Sequence, residues 1–367
     1  VPDALITSEA NRVALVETEI QAGDGAVNEA HPLTILLCTW YAKCRRDLPW
    51  RKTRDPYPIW LSEVILQQTR VDQGLAYWER FLEEFPRVED LARADSERVM
   101  KLWQGLGYYS RARNVHKAAQ AVAAAGGRFP SCASELCDLP GVGPYTAAAV
   151  ASICYNEPVA AVDGNVIRVV SRLLDLELPV DRAPGRGAVE GLAQAMVDRN
   201  DPGTSNQAMM ELGAMVCSPK APKCSDCPVA SGCLAAARGT ALERPVKHTR
   251  TRVENVHFTF SLHLHPSGDQ VWMERRPAGG IWGELWSLPF TETPDEPQNN
   301  GLEAKSWGPF KHELSHRRIT ASCHLSEQGV VGASGRWVDF EDVGEYALHR
   351  LMERMWEQIG PEIAGKR

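Results

Sequence analysis

The sequence has no run of about eighteen apolar residues, the length a helix needs to cross a bilayer, so no membrane-spanning helix is expected. Residues 1–30 are acidic and broken by Gly and Asn, so no secretory leader is expected there either. The cysteines lack the pattern of a secreted disulfide framework: Cys38, Cys44, Cys132, Cys137, Cys154 and Cys323 stand singly. A reducing compartment follows: the cytoplasm and nucleoid of a bacterium, which is the favoured setting, or a nucleus or mitochondrion. Net positive charge is also lacking. The formal charge of −7 argues, taken whole, against a polyanionic partner. Partitioned, it does not: the acidic excess lies in residues 1–30 and 251–367, while residues 31–250 are slightly basic. Residues 98–134 hold Arg98, Lys101, Arg111, Arg113, Lys117 and Arg128 with no acidic residue, a stripe able to follow a nucleic-acid backbone.

What is present is length enough for two domains and, at 44% hydrophobic residues, material for real cores. The chain divides into a mobile tail (1–30), a helical domain (31–236), a polar linker (237–252) and a strand-rich domain (253–367). The helical domain is organised around residues 139–173. There Leu139-Pro140-Gly141-Val142-Gly143 makes a tight turn whose amides suit a phosphate, and Pro144 opens an almost wholly apolar helix. After a loop, Asp163 is placed to N-cap a helix carrying Val166, Val169, Val170 and Leu173. The amides and dipole of that helix are expected to hold the carboxylate ionised, fit to stabilise a cation.

Earlier in the chain, Glu63 is the one charge in Pro58-Ile59-Trp60-Leu61-Ser62-Glu63-Val64-Ile65-Leu66. A carboxyl in an apolar pocket has its pKa raised and can serve as a general acid near neutrality. Gln67-Gln68-Thr69 follows, with amides and a hydroxyl that suit base edges. Helices are expected at 71–85, at 88–103 and from Arg111 on. The turn Gln104-Gly105-Leu106-Gly107-Tyr108-Tyr109 offers one aromatic to wedge into a duplex and another to pack inside. Met209, Met210, Leu212 and Met215 are expected in the core, with Glu211 among them as a supporting carboxylate.

Cys217, Cys224, Cys227 and Cys233 fall in a short Pro- and Lys-rich loop and make one tetra-cysteinyl metal site. Two short Cys-x2-4-Cys knuckles would favour zinc, and only Cys224 and Cys227 form one; uneven spacing of this kind is tolerated by iron–sulfur clusters. From Val256 on the pattern turns to alternating strands, with a terminal helix at 344–359. Arg275-Arg276-Pro277 through Leu288-Pro289 resembles a Nudix fold. The place of that family's glutamate-rich helix holds residues 291–297, whose prolines forbid it, so a binding domain without hydrolase activity is expected.

Together these features resemble MutY-type adenine DNA glycosylases of the helix-hairpin-helix, endonuclease III superfamily. The resemblance implies a multidomain fold: an all-α helix-hairpin-helix core with a 4Fe–4S loop, and an α+β Nudix-like C-terminal domain. It implies that Glu63 protonates adenine, that Asp163 stabilises or captures the sugar cation, and that Tyr145 and Asn165 support them, with Glu211 behind. It places Trp50 and Arg51 beside the base pocket. Gln68 and Tyr108 fall at intercalating positions, with Thr69, Leu106, Val142 and Gly143 also against DNA. Ser315 and His316 match a lesion-sensing loop in which Leu314 replaces a Phe. It also implies a 4Fe–4S cofactor on the four clustered cysteines, and a monomer acting on duplex DNA with adenine opposite 8-oxoguanine or guanine. Bifunctional relatives carry a Schiff-base lysine where this chain has Tyr145, and no lysine occurs between Lys117 and Lys220, so a monofunctional hydrolase is expected. The alternatives are a pyrimidine glycosylase/lyase and a non-catalytic iron–sulfur lesion-binding protein.

Overall fold

The computed structural model describes residues 30–248, 253–293, 305–326 and 335–364. The expected tail before Ala30, the end of the expected linker and residues 294–297 lie outside these. In chain order the helices are α1 (Pro32–Cys44), α2 (Pro56–Ile65), α3 (Val71–Glu84), α4 (Val88–Arg93), α5 (Ser96–Trp103), α6 (Ser110–Ala124), α7 (Ala133–Leu136), α8 (Pro144–Tyr155), α9 (Gly164–Leu173), α10 (Ala183–Ala195), α11 (Pro202–Met215), α12 (Leu234–Arg238) and α13 (Arg350–Ala364). The strands are β1 (Glu254–Leu262), β2 (Gln270–Arg275), β3 (Trp286–Ser287), β4 (Phe290–Thr293), β5 (Ser306–Glu313), β6 (Arg317–Leu325) and β7 (Gly335–Asp339). Two compact units result: one is the chain up to Gln67 joined to Ala124–Arg250, the other Gln68–Ala123 joined to Thr251–Arg367.

The first unit is helical. Its core gathers Leu37 and Tyr41 from α1, Val166, Val169, Val170 and Leu173 from α9, Val189 and Leu192 from α10, and Leu212 from α11. Helix α8 is buried from Thr146 to Ser152, as its apolar composition requires. It starts at Pro144 and stops at Asn156, which takes the left-handed conformation that ends helices. Small residues allow α11 to approach its neighbours closely: a Cβ on Gly203 would lie 2.8 Å from the Ile153 Cα, and one on Gly213 2.5 Å from the Asn165 Cβ.

Among the described residues, the second unit joins α3–α6 to seven strands and α13. The strands form two sheets, ordered β4-β1-β6-β5 and β3-β2-β7. Strands β1 and β6 run parallel from Glu254 opposite Arg317 to Leu262 opposite Leu325; the other pairs are antiparallel. Alternation along β1 sends Val256, Phe258, Phe260 and Leu262 inward. Phe258 and Phe260 meet Phe290, and α13 adds Leu351, Met352, Met355 and Ile359 to the buried set.

Several expectations shift. The helix expected over 88–103 is broken at Ala94–Asp95, where the Asp95 carboxylate caps α5 by accepting from the Glu97 amide. The terminal helix begins at Arg350, after a short turn at Val343–Glu345. Residues 237–248 are not a free linker. Arg244 is 7% exposed and pairs with Asp175 at 2.9 Å, which fixes this segment to the helical unit. Met209 and Leu212 are core, but Met215 is 37% exposed at the end of α11. Thr291–Thr293 end β4, in place of any helix there.

Candidate active site

Glu63 lies on the last turns of α2, which Asp55 caps and Pro56 opens. Its neighbours in sequence are buried, while Glu63 itself keeps partial exposure. Tyr145, in the first turn of α8, donates from its hydroxyl to the Glu63 Oε2 at 2.5 Å and stands 3.3 Å from the Met210 Sδ. Burial pushes the Glu63 carboxyl up to about 7, the nearby Asp163 charge adds to this, and Tyr145 and Arg51 pull it back. Burial also pushes the Tyr145 hydroxyl well up, with Glu63 and Asp163 both contributing, so Tyr145 stays protonated and feels both carboxylates. Residues about a hundred positions apart therefore share one environment.

Asp163 caps α9. Its Oδ1 accepts from the Val166 amide and its Oδ2 from the Asn165 Nδ2, each at 2.7 Å. Burial raises its pKa, which the expectation from the cap alone did not include; the two hydrogen bonds and Arg168 oppose that rise. The contrast with Glu63 is one of partners. Asp163 holds donors that favour the carboxylate on both oxygens, whereas Glu63 holds one hydroxyl.

Arg168, one turn along α9, extends this network. It donates to the Asn165 Oδ1 at 2.8 Å, to the Gly213 carbonyl at 2.7 Å and, through Nε, to the Cys217 carbonyl at 2.8 Å. A short chain of hydrogen bonds thus joins Asp163 to the start of the cysteine loop. Glu211 is 1% exposed and faces neither solvent nor Asp163's donors. Arg46 and Arg51 each reach both of its oxygens, at 2.6–3.0 Å. Burial pushes the Glu211 carboxyl up, but the hydrogen bonds from Arg51 and Arg46 prevail and hold it at about 2. Glu211 therefore acts by anchoring Arg51, which also lies over the Tyr41 ring and acts on the charge of Glu63. Trp50 is buried beside Arg51 in a short turn. Arg46, Arg168 and Gly213 were not singled out from sequence. A glycine inside the pattern of α11 was the available signal, since such a residue costs helix stability unless packing needs it.

Cys217, Cys224, Cys227 and Cys233 all line one small cavity with Arg172, Val216 and Ala230. Burial pushes the Cys227 thiol up to about 11 and raises that of Cys233, so deprotonating them requires a cationic partner. Among the described residues no three His, Cys, Asp or Glu side chains are grouped tightly enough for a single metal ion. Arg172, 2% exposed, donates to the Cys217 Sγ at 3.3 Å and otherwise to backbone carbonyls of Arg244, Cys217, Ser218 and Pro219. A buried guanidinium whose hydrogen bonds go to sulfur and carbonyls, not to a carboxylate, suits an anionic group bound in the cavity.

The residues expected to face DNA are solvent-accessible in part. Gln68 (φ 61°) and Tyr108 (φ 46°) both take the left-handed conformation and are exposed, while Tyr109 is buried, so the two tyrosines divide as expected. Thr69 and Gly143 are accessible, and Val142 and Leu106 are buried at 6% and 7%. Ser315 and His316 are exposed at the tip between β5 and β6, where Leu314 and Arg317 close the hairpin. The basic stripe is less available than its composition implied. Arg98 pairs with Glu84, Lys101 donates to the Gly344 and Tyr346 carbonyls, Arg111 lies against Trp103 and Tyr108, and Arg113 donates to the Gly283 carbonyl. Lys117 and Arg128 remain exposed.

A helical unit with this hairpin, and a tyrosine bonded to one carboxyl and within the field of a second, define a base-excision repair protein of the helix-hairpin-helix class; residues 61–178 match the family model described as HhH-GPD superfamily base excision DNA repair protein, and residues 260–358 match a NUDIX domain. The chain is 44% identical over 403 residues to the adenine DNA glycosylase of Mus musculus, covering 90% of this chain and 78% of that one. It is 36% identical over 304 residues to that of Arabidopsis thaliana, covering 71% of this chain but only about half (48%) of the plant protein's length. The solved structure of a thermostable thymine-DNA glycosylase superposes with a TM-score of 0.52 at 27% identity, over 60% of this chain and 98% of that one. The chain belongs to the adenine DNA glycosylase family. Among the described residues no helix is long and apolar enough to cross a membrane.

Proposed function

We propose that this protein is a monofunctional glycosylase that hydrolyses the N-glycosidic bond of adenine in duplex DNA where adenine lies opposite 8-oxoguanine or guanine. The observation that carries this reading is the pairing of Glu63, held protonated up to about pH 7, with Asp163, whose two oxygens both receive hydrogen bonds. Adenine leaves the stack and enters the site. Glu63 gives its proton to N7 of the purine, and the electrons of the breaking C1′–N9 bond pass to a neutral leaving group. The sugar becomes an oxocarbenium ion, which the Asp163 carboxylate stabilises as paired carboxylates do in glycoside hydrolysis. Water adds at C1′ and the product is an abasic site. Tyr145 and Asn165 orient the two carboxyls, and Arg51, fixed by Glu211, lies near them. Tyr145 also stands where a lyase would need an amine, which favours water as the acceptor over a lysine.

Cys217, Cys224, Cys227 and Cys233 would hold a 4Fe–4S cluster, facing the buried Arg172. When bound, it would order the loop, so that Lys220 and Lys223 could turn their own positive charge toward the DNA backbone. Trp50 and Arg51 lie beside the base, Gln68, Thr69, Leu106 and Tyr108 enter or flank the duplex, and Val142 and Gly143 meet a phosphate. Ser315 and His316 read the lesion from a Nudix-like domain that serves binding. The protein acts as a monomer. The test is a single-turnover assay on duplexes with adenine opposite 8-oxoguanine, guanine or thymine. Alkali-labile sites should form at adenine with the wild type. Glu63→Gln and Asp163→Asn should each lose several orders of magnitude in rate while retaining duplex binding. Wild-type rates in either variant, or borohydride trapping of a covalent adduct, would overturn the assignment.

A further inference from the structure

Resting on the proposed activity, we infer that Gln104 is a positioning residue that ties the wedge turn to the Nudix-like domain and so couples lesion reading to insertion into the duplex. The turn is conformationally costly. Gly105 (φ 96°), Gly107 (φ 69°) and Tyr108 (φ 46°) all lie in the left-handed region, and a tyrosine stays there only where its surroundings fix it. Part of that fixing comes from the neighbouring helices: the Tyr77 hydroxyl donates to the Gln104 carbonyl at 2.7 Å, and the Trp103 indole to the Gly107 carbonyl at 3.0 Å. The rest comes from α13 and from Leu348 just before it. The Gln104 side chain accepts from the Leu348 amide at 3.1 Å and donates to the Glu353 carboxylate. At the far end of the turn, the Tyr109 hydroxyl donates to the Leu348 carbonyl at 3.3 Å. Both ends of the turn that carries Leu106 and Tyr108 are thus bound to one residue of the domain that also presents Ser315 and His316.

Leu348 is itself firmly seated. Next to it, His349 is fully buried, stacks on Trp282 with ring centroids 3.6 Å apart and meets the Ser287 hydroxyl at 3.2 Å. Its imidazole is held neutral by burial, and its Nδ1 accepts from the Met352 amide at 3.1 Å. A displacement of this domain on reading a lesion must therefore move the turn, because the anchor has little play of its own. Gln104 uses both faces of its amide, a donor toward Glu353 and an acceptor toward Leu348. No hydrocarbon side chain of the same length reproduces that.

The test uses the full-length holoprotein. Gln104→Met should lower the ratio of adenine excision opposite 8-oxoguanine to that opposite guanine by about tenfold, which needs only part of the free energy of the two lost hydrogen bonds to reach the wedge. A 2-aminopurine placed beside the lesion should brighten less on binding, which reports reduced unstacking by the wedge. The pH dependence of excision should stay that of the wild type, since the acid is elsewhere. The exchanged pair Gln104→Glu with Glu353→Gln, which restores a donor and an acceptor in reversed order, should recover both the ratio and the fluorescence. An unchanged ratio and fluorescence in Gln104→Met, or failure of the exchanged pair to recover them while it melts like the wild type, would overturn the inference. A wild type that releases no adenine from either duplex would instead overturn the activity on which it rests.

Discussion

Replacing Glu63 by Gln should separate catalysis from stability with opposite signs. The amide fills the same volume and can still accept from Tyr145. It cannot give a proton to the base, so excision should fall by orders of magnitude. Stability should move the other way as the solution becomes alkaline. Burial raises the Glu63 carboxyl from 4.5 to about 7. Between those values the folded protein keeps a proton that the unfolded chain has released, so folding stability falls with rising pH. The contribution is complete below 4.5 and fully lost above about 7. At about 1.4 kcal/mol per tenfold, the loss reaches at most about 3 kcal/mol, because the residue retains some exposure. The Gln variant has no proton to release and escapes this penalty. Its melting temperature should therefore match the wild type near pH 4.5 and exceed it by roughly 6–12 °C at pH 8, for a unit of this size. Differential scanning fluorimetry over that range would read the divergence. Parallel melting curves for the two proteins would refute the raised carboxyl and, with it, the general acid.

Tyr145→Phe removes a hydrogen bond that lowers the Glu63 carboxyl, so the alkaline limb of the excision profile should move above about pH 7; a limb that stays in place would count against the contact. Glu211→Gln leaves Arg46 and Arg51 without their anion and should cost about 3 kcal/mol near neutrality. That stability is present above the unfolded value of 4.5 and disappears as pH falls toward about 2, so denaturation of wild type and variant should converge in acid. Gly213→Ala would set a Cβ 3.1 Å from the Asn165 Cα, backbone that cannot yield, and should cost roughly 1–3 kcal/mol. It should also slow excision by disturbing the donor to Asp163, where an open helical site would have gained stability.

Much of this site is legible in the chain because its chemistry is locally written. Asp163 follows its loop and precedes its helix, so the cap is visible in sequence, and Glu63 stands out as one charge among apolar neighbours. The four clustered cysteines announce a metal loop by proximity alone. What escapes is whatever depends on a partner from elsewhere. Glu211 reads as a supporting carboxylate, but its two arginines are some 160 residues away, and nothing local marks Arg46. The basic stripe reads as a DNA-facing row, yet most of its charges find partners within the protein, because long cationic side chains satisfy buried carbonyls and aromatic faces as readily as phosphates. The break at Ala94–Asp95 was missed for a related reason: the apolar spacing continues across it, and only the capping carboxylate reveals the stop.

The first compact unit is built from two stretches of chain, one ending at Gln67 and one resuming at Ala124. Glu63 belongs to the first and Tyr145, Asp163 and Glu211 to the second. During synthesis the acid emerges well before Tyr145 and Asp163, and α2 must wait with much of its apolar surface unmatched until α8 has left the ribosome. A nascent chain stalled before residue 145 would carry the proton donor's side chain and Arg51 but neither Tyr145 nor Asp163. The acid strength of Glu63 is thus acquired only when the chain returns.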